Sequence, residues 1–248
     1  MVSIDTVYQR VLALANKEQR GYITPQEFNL FANQAQMDIF EQYFYDLNQF
    51  RRLPGNNTVH SDMVTILEEK IQMFHEILGS TTTAELTPNS DFTAFLLPDN
   101  LYRLDQVRLG SIQCERLNIR DFNEVRFSPL TKPTTSRPIY TIRRGNEMTI
   151  HNGSFVNIAE EDDGGDLVNP CNIVMIKRPV KVVWGYTTVN NSAVWDNGTD
   201  TVDFELHASE ESNLVIKILQ LSGIAIKDAD LYQIALAEDN KNIQQEKQ

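Results

Sequence analysis

An α+β fold is what this chain predicts: helices at the two ends packed as a helical layer, with a central antiparallel β region over roughly residues 92–186. Three observations carry that expectation. Apolar residues recur every three or four positions through the first eighty residues. From Phe92 the pattern changes to short alternating or β-branched runs bounded by Pro, Gly or Asn. After Ser209 the helical spacing returns. The chain thus divides into an N-terminal helical region (1–80), a central β-rich region (81–200) and C-terminal helices (201–248) expected to pack with the N-terminal ones.

The first helix is expected from Ser3 to about Ala15, with Ile4, Val7, Val11 and Leu14 on one face. A turn over Asn16–Thr24 follows, with Gly21 where a positive φ is easiest. Thr24-Pro25-Gln26-Glu27 then supplies a helix start: a hydroxyl cap, proline at the first helical position, and a glutamate able to reach back. Phe28, Phe31, Ala32, Ala35, Ile39, Tyr43 and Leu47 form one stripe, and Met37, Phe40 and Phe44 widen it beyond what one helical partner covers. Pro54-Gly55-Asn56-Asn57 breaks the chain. A third helix is expected from Ser61 or Asp62 to Leu78 through Val64, Leu67, Ile71 and Phe74, closed by Gly79.

The first turn also permits a calcium reading. Residues 16–27 form a degenerate EF-hand-like loop, with Gly21, Ile23 and Glu27 at the sixth, eighth and twelfth places. Its first, third and fifth places hold Asn16, Glu18 and Arg20, and a cationic side chain is the wrong ligand for a cation.

In the β half, Phe92–Leu97 stops at Pro98, and Leu101–Leu109 alternates so evenly that either face can point inward. Ile112–Leu117 reads as strand and Asp121–Val125 as a short helix. The clearest hairpin runs Pro138–Arg143, through Arg144-Gly145-Asn146, into Glu147–His151. The acidic loop 160–166 carries five carboxylates beside two glycines, which suits a solvated loop tip and also permits a divalent cation. Ile173–Ile176 and Val180–Trp184 read as strands separated by Pro179, which either confines the segment to a sheet edge or splits it in two. Asn190–Asp200 reads as a polar loop. Ser209 is the expected cap of a helix bearing Leu214, Val215, Ile218 and Leu219 and ending at Gly223; a last helix, Leu231–Gln248, fades into polar residues around Ile243.

Composition narrows the function. A formal charge of −12 in 248 residues, spread through the chain, lacks the clustered Lys and Arg that a nucleic-acid grip or an anionic membrane surface requires. No apolar run reaches the ~20 residues of a bilayer-spanning helix, and the start lacks a signal-peptide pattern, so a cytoplasmic protein is expected. Cys114 and Cys171 have no metal-spaced partners and read as buried free thiols. Walker, GxGxxG, HExxH, CxxC and GxSxG motifs do not occur, and His60, His75, His151 and His207 fall on separate elements. His207 is flanked by Glu205 and Glu210.

Taken in order, residues 16–44 (NKEQRGYITPQEFNLFANQAQMDIFEQYF), 137–151 (RPIYTIRRGNEMTIH), 178–186 (RPVKVVWGY) and 203–248 resemble a family of structural proteins from tailed double-stranded-DNA bacteriophages, found in marine and gut crAss-like short-tailed phages. The resemblance spans nearly the whole chain but includes no catalytic or ligand signature. It implies a non-enzymatic virion component without a cofactor: a head-to-tail connector or tail-ring subunit made in the host cytoplasm. Such a subunit would contact copies of itself in a ring, the portal and neighbouring tail proteins, with DNA passing through the channel and no membrane involved. Phe40, Phe44, Leu231, Ile234, Leu236 and Ile243 are the expected partner-facing residues. The rival expectation is a calcium-responsive or adaptor module built on loop 16–27.

Overall fold

The computed structural model describes residues 1–17, 23–52, 58–79, 87–88, 94–143, 146–156, 171–190, 192–196, 200–226 and 237. In chain order the elements are α1 (Ile4–Lys17), α2 (Pro25–Arg52), α3 (Thr58–Gln72), β1 (His75–Gly79), β2 (Thr87–Pro88), β3 (Phe95–Leu96), β4 (Leu101–Leu109), β5 (Ile112–Gln113) and β6 (Glu115–Arg116). They continue with α4 (Ile119–Phe127), β7 (Ile139–Arg143), β8 (Glu147–His151), β9 (Cys171–Lys177), β10 (Tyr186–Val189), β11 (Ser192–Trp195), a 3₁₀ turn (Ala208–Glu210) and α5 (Glu211–Ile226). The fold is α+β. It separates into two compact units, one of Met1–Met73 with Pro179–Gln248 and the other of Phe74–Arg178.

In the helical unit, α2 packs against α3 and α5, and α1 packs against α5. The start of α2 follows from its capping box: Glu27 N donates to Thr24 Oγ1 (3.3 Å), while Thr24 N and Oγ1 donate to Glu27 Oε2 (3.0 and 2.8 Å). Those donors hold the Glu27 carboxyl below its usual range. The first free amide of α1 is capped from the far end of the chain, Ile4 N donating to Asp203 Oδ1 at 2.9 Å, beside a bridge between Val2 and Phe204. Trp184 Nε1 donates to Asp5 Oδ1 (3.1 Å), and Tyr8 lies between the rings of Phe28 and Trp184 at 4.7 and 4.2 Å.

Residues 180–184, expected as a strand, belong to no sheet. They run extended along α2, and the side-chain amides of that helix take the place of a neighbouring strand. Asn29 accepts from Trp184 N (2.8 Å) and donates to its carbonyl (3.4 Å); Asn33 does the same for Val182 (3.0 and 2.9 Å). Gln36 donates to Val180 O (2.8 Å) and accepts from Glu205 N (3.1 Å), and Glu205 returns a carboxylate to Val180 N (2.9 Å). The alternate residue Val183 exchanges both backbone bonds with Val202. Each buried backbone group of the strap thereby finds a partner without a sheet. Gly185 closes it, because a Cβ there would meet Thr201 Oγ1 at 2.7 Å.

A buried ion pair ties α3 to the turn before α5. Lys70 Nζ lies 2.6 Å from Glu210 Oε1, Asn213 donates to Glu210 Oε2 (2.8 Å), and the Lys70 ammonium stands 5.5 Å from the Tyr43 ring centroid. Ser209, expected as the cap, lies inside the 3₁₀ turn. The cap stands two residues earlier, at His207, whose Nδ1 accepts from Ser209 N at 3.3 Å. Gly223 does not end α5, which continues to Ile226 with Gly223 buried.

In the β unit, a four-stranded antiparallel sheet has the order β1-β9-β4-β5 and a five-stranded sheet the order β2-β3-β8-β7-β6. Both feed one hydrophobic cluster that includes Leu78, Phe95, Leu104, Val107, Tyr140, Met148, Ile150, Ile173 and Met175. Residues 75–79 are a strand and not the end of the third helix. All five pair with β9, which satisfies the inner side of their backbone and keeps Phe74 and Leu78 inside. Neither face of β4 wins throughout. Irregularities in its register with β9 between Leu101 and Arg103 and between Leu104 and Gln106 switch the inward side, so Leu104 and Val107, three apart, are both buried. The Pro138–His151 hairpin forms with Asn146 at φ 59 in its turn. The region is not wholly antiparallel: β6 pairs with β7 in parallel, since α4 carries the chain back to run the same way. The β unit spans 74–178 where the sequence suggested 81–200, because the segment after Pro179 pairs with α2.

Two expectations follow. Asn33→Ala leaves Val182 N–H and C=O without their side-chain partners and should cost about 2–3 kcal/mol in urea unfolding, against a few tenths for exposed Gln34→Ala; equal effects would deny the amide pairing its weight. Lys70→Met alone should cost about 3–5 kcal/mol, whereas Lys70→Met with Glu210→Leu should recover most of it, since only the single variant strands a buried charge.

Candidate interaction surfaces

The residues expected to face partners divide. Phe40 is 0 % exposed, filled in by the helical unit itself, which leaves nothing of it for another chain to touch. Phe44 is half-buried and packs edge-on against Phe40 at 5.1 Å. Leu231, Ile234, Leu236 and Ile243 lie outside the described residues, as do most of the turn in loop 16–27 and the acidic loop 160–166. Within the described part of loop 16–27, Glu27 is engaged in the capping box.

Chemistry-bearing groups are dispersed. Among the described residues no three His, Cys, Asp or Glu side chains gather to hold a metal ion. His207 serves the turn before α5. His151 is buried against Phe122 and Phe155, and Gly153 N donates to its Nδ1 at 3.2 Å, so the neutral ring is the one that fits. Burial, with help from Arg126, lowers its basicity. Cys114 and Cys171 are free thiols buried in the β-unit cluster. Burial pushes Cys114 up to about 11 and Cys171 up to about 12, the latter with Cys114 close enough to add to it. A pocket of about 160 Å³ beside β6 and β7, rimmed by the Glu115–Arg137 pair at 3.5 Å and floored by Leu117, Val125 and Ile139, is too small for most metabolites.

What the surface does carry is large apolar side chains on regular elements. At the end of α4, Phe127 is 73 % exposed, and Leu130 just beyond it is 92 % exposed. Arg126 stands 4.5 Å from the Phe127 ring and 4.6 Å from the Phe155 ring, a cation shared between two aromatic faces. Leu30 projects from α2. In the helical unit β10 and β11 form a two-stranded hairpin with Val189, Val194 and Trp195 exposed. It occupies much of the stretch read as a polar loop. The signal was there: Tyr186-Thr-Thr-Val and Ser192-Ala-Val-Trp flank Asn190-Asn191, and Asn190 takes φ 48 as a two-residue hairpin loop requires. Among the described residues no helix is long and apolar enough to cross a membrane.

With both thiols buried and held protonated, a thiol reagent at pH 8 should label neither cysteine in the native chain and both in denaturant. Rapid labelling of either in the folded protein would contradict that burial. No family profile matches this chain, and no curated protein matches it.

Proposed function

We propose that the chain is a structural subunit of a tailed-phage virion, a head-to-tail connector or tail-ring protein that closes into a ring with copies of itself around the DNA channel. The observation that carries the reading is the outward display of Phe127 and Leu130 at and just beyond the end of α4, and of Val194 and Trp195 on the two faces of the β10–β11 hairpin. Patches of this kind mark surfaces that a partner covers. A ring needs two different faces per subunit, since each copy meets one neighbour on either side. The same surfaces suit contacts with the portal above or a tail protein below.

The charge supports the role. At −12 the subunit offers sliding DNA a surface that repels phosphates over about a Debye length, ~8 Å at physiological salt, so the duplex passes without being held. The work of such a protein is positioning, and its polar chemistry is spent accordingly on caps, the amide-paired strap and a buried ion pair.

Light scattering coupled to size-exclusion chromatography tests the reading, on the full chain alone and mixed with the portal protein of its phage. Higher-order species in either condition are expected. A stable monomer in both, indifferent to the portal, would overturn the ring.

A further inference from the structure

Open sheet edges invite pairing with another chain, and proteins blunt them with short strands, charge or proline. Three sheet edges here follow that rule. β2 has two residues including Pro88, β5 has two, and β6 is the charged pair Glu115–Arg116. Two elements break it. Among the described residues β1 ends its sheet, and its stretch 75–78 holds Ile77 59 % exposed, guarded by the single carboxylate of Glu76. The β10–β11 hairpin pairs only with itself among the described residues, and it carries no Lys, Arg, Asp, Glu or Pro from Tyr186 to Trp195.

A hairpin of two four-residue strands is marginal by itself in water, and Val189, Val194 and Trp195 gain little from standing in solvent. Its hydrogen-bond pattern tells which amides are spare. In an antiparallel pair closed by a two-residue loop, the residues next to the loop exchange bonds and the alternation continues outward. Val189 and Thr187 therefore bond across to Ser192 and Val194, while the amides of Tyr186 and Thr188 on one edge and of Ala193 and Trp195 on the other point away. Among the described residues each edge thus offers a row of unused donors and acceptors over four residues, a length that β1 can match.

We infer that one edge of this hairpin pairs with β1 of a neighbouring copy, extending the neighbour's four-stranded sheet across the subunit boundary. The inference rests on the ring reading only in requiring that copies meet. Main-chain bonds supply the adhesion, and Ile77 falls beside the hairpin side chains of its own face, Val189 and Val194 on one or Trp195 on the other. Donor and acceptor are different surfaces of one chain, so the contact is head-to-tail and repeats around an axis.

Two experiments on the full-length chain decide it. Mixing Thr188→Cys with Glu76→Cys and adding a short bismaleimide should crosslink two copies in the mixture and in neither variant alone, Cys114 and Cys171 being buried. The second uses Thr188→Pro with Ala193→Pro, which removes only outward amides and so spares the hairpin's own bonds. It should sediment as monomer with an unchanged circular dichroism spectrum. Assembly that survives both prolines, with no crosslink in the mixture, overturns the pairing and leaves the ring standing. Crosslinking of Thr188→Cys to itself overturns it too, by placing hairpin on hairpin. A wild-type chain that neither assembles nor crosslinks in the mixed variants brings down this contact and the ring together.

Discussion

The helical unit depends on carboxamides standing in for a β-strand. Asn29, Asn33 and Gln36 project from one side of α2, and each meets an alternate residue of the extended strap, Trp184, Val182 and Val180 in turn. The two periods match well over the first step: four helical residues rise ~6 Å and two extended residues span ~6.6 Å. Over the second step the helix advances only three residues, ~4.5 Å, and falls behind. The longer side chain stands at the lagging end, where the extra methylene of Gln36 makes up the difference. Through this pairing the last third of the chain is held to the first without a shared sheet, and Trp184 is delivered to Asp5 and Tyr8.

The pairing also explains how polar groups are distributed inside this protein. Uncharged amides satisfy the strap from Val180 to Trp184, where a charge would have to be desolvated, and the one carboxylate that joins them, Glu205 on Val180 N, stands at the exposed end. The deeply placed ion pair of Lys70 with Glu210 is furnished with Asn213 and the face of Tyr43, so neither charge is left alone. Interior polarity is thereby consumed in joining elements. The surface shows the opposite economy: on the α4 end and on the hairpin it leaves apolar groups standing out, and on the hairpin it omits the charges that would keep other strands away.

Parts of this arrangement were legible in advance and parts were not. The capping box at Thr24, the hairpin turning at Asn146 and the helical period of α1 and α2 all appear where the residues indicated. The β10–β11 hairpin was hidden by its polar centre, although β-branched residues on both sides of Asn-Asn announced it. Phe40 misled because an apolar stripe reveals surplus, not which side of the surplus the chain itself will cover.

What the residues alone determined was what is settled within a few positions: where α2 begins, where a turn needs a left-handed residue, and the helical period of α1 and α2. Those choices compare a segment with its own neighbours, which the order of residues states directly. The tertiary structure decided the fate of segments whose backbone bonds come from far away. Residues 74–79 keep Phe74 and Leu78 inside as helix or as strand, and β9 chose strand for 75–79. In β4 the partner's register turned the inward face midway, and for residues 180–184 a helix, not a sheet, reached the open backbone. A buried amide must be paired, and which distant group pairs it depends on three-dimensional proximity that no local pattern encodes.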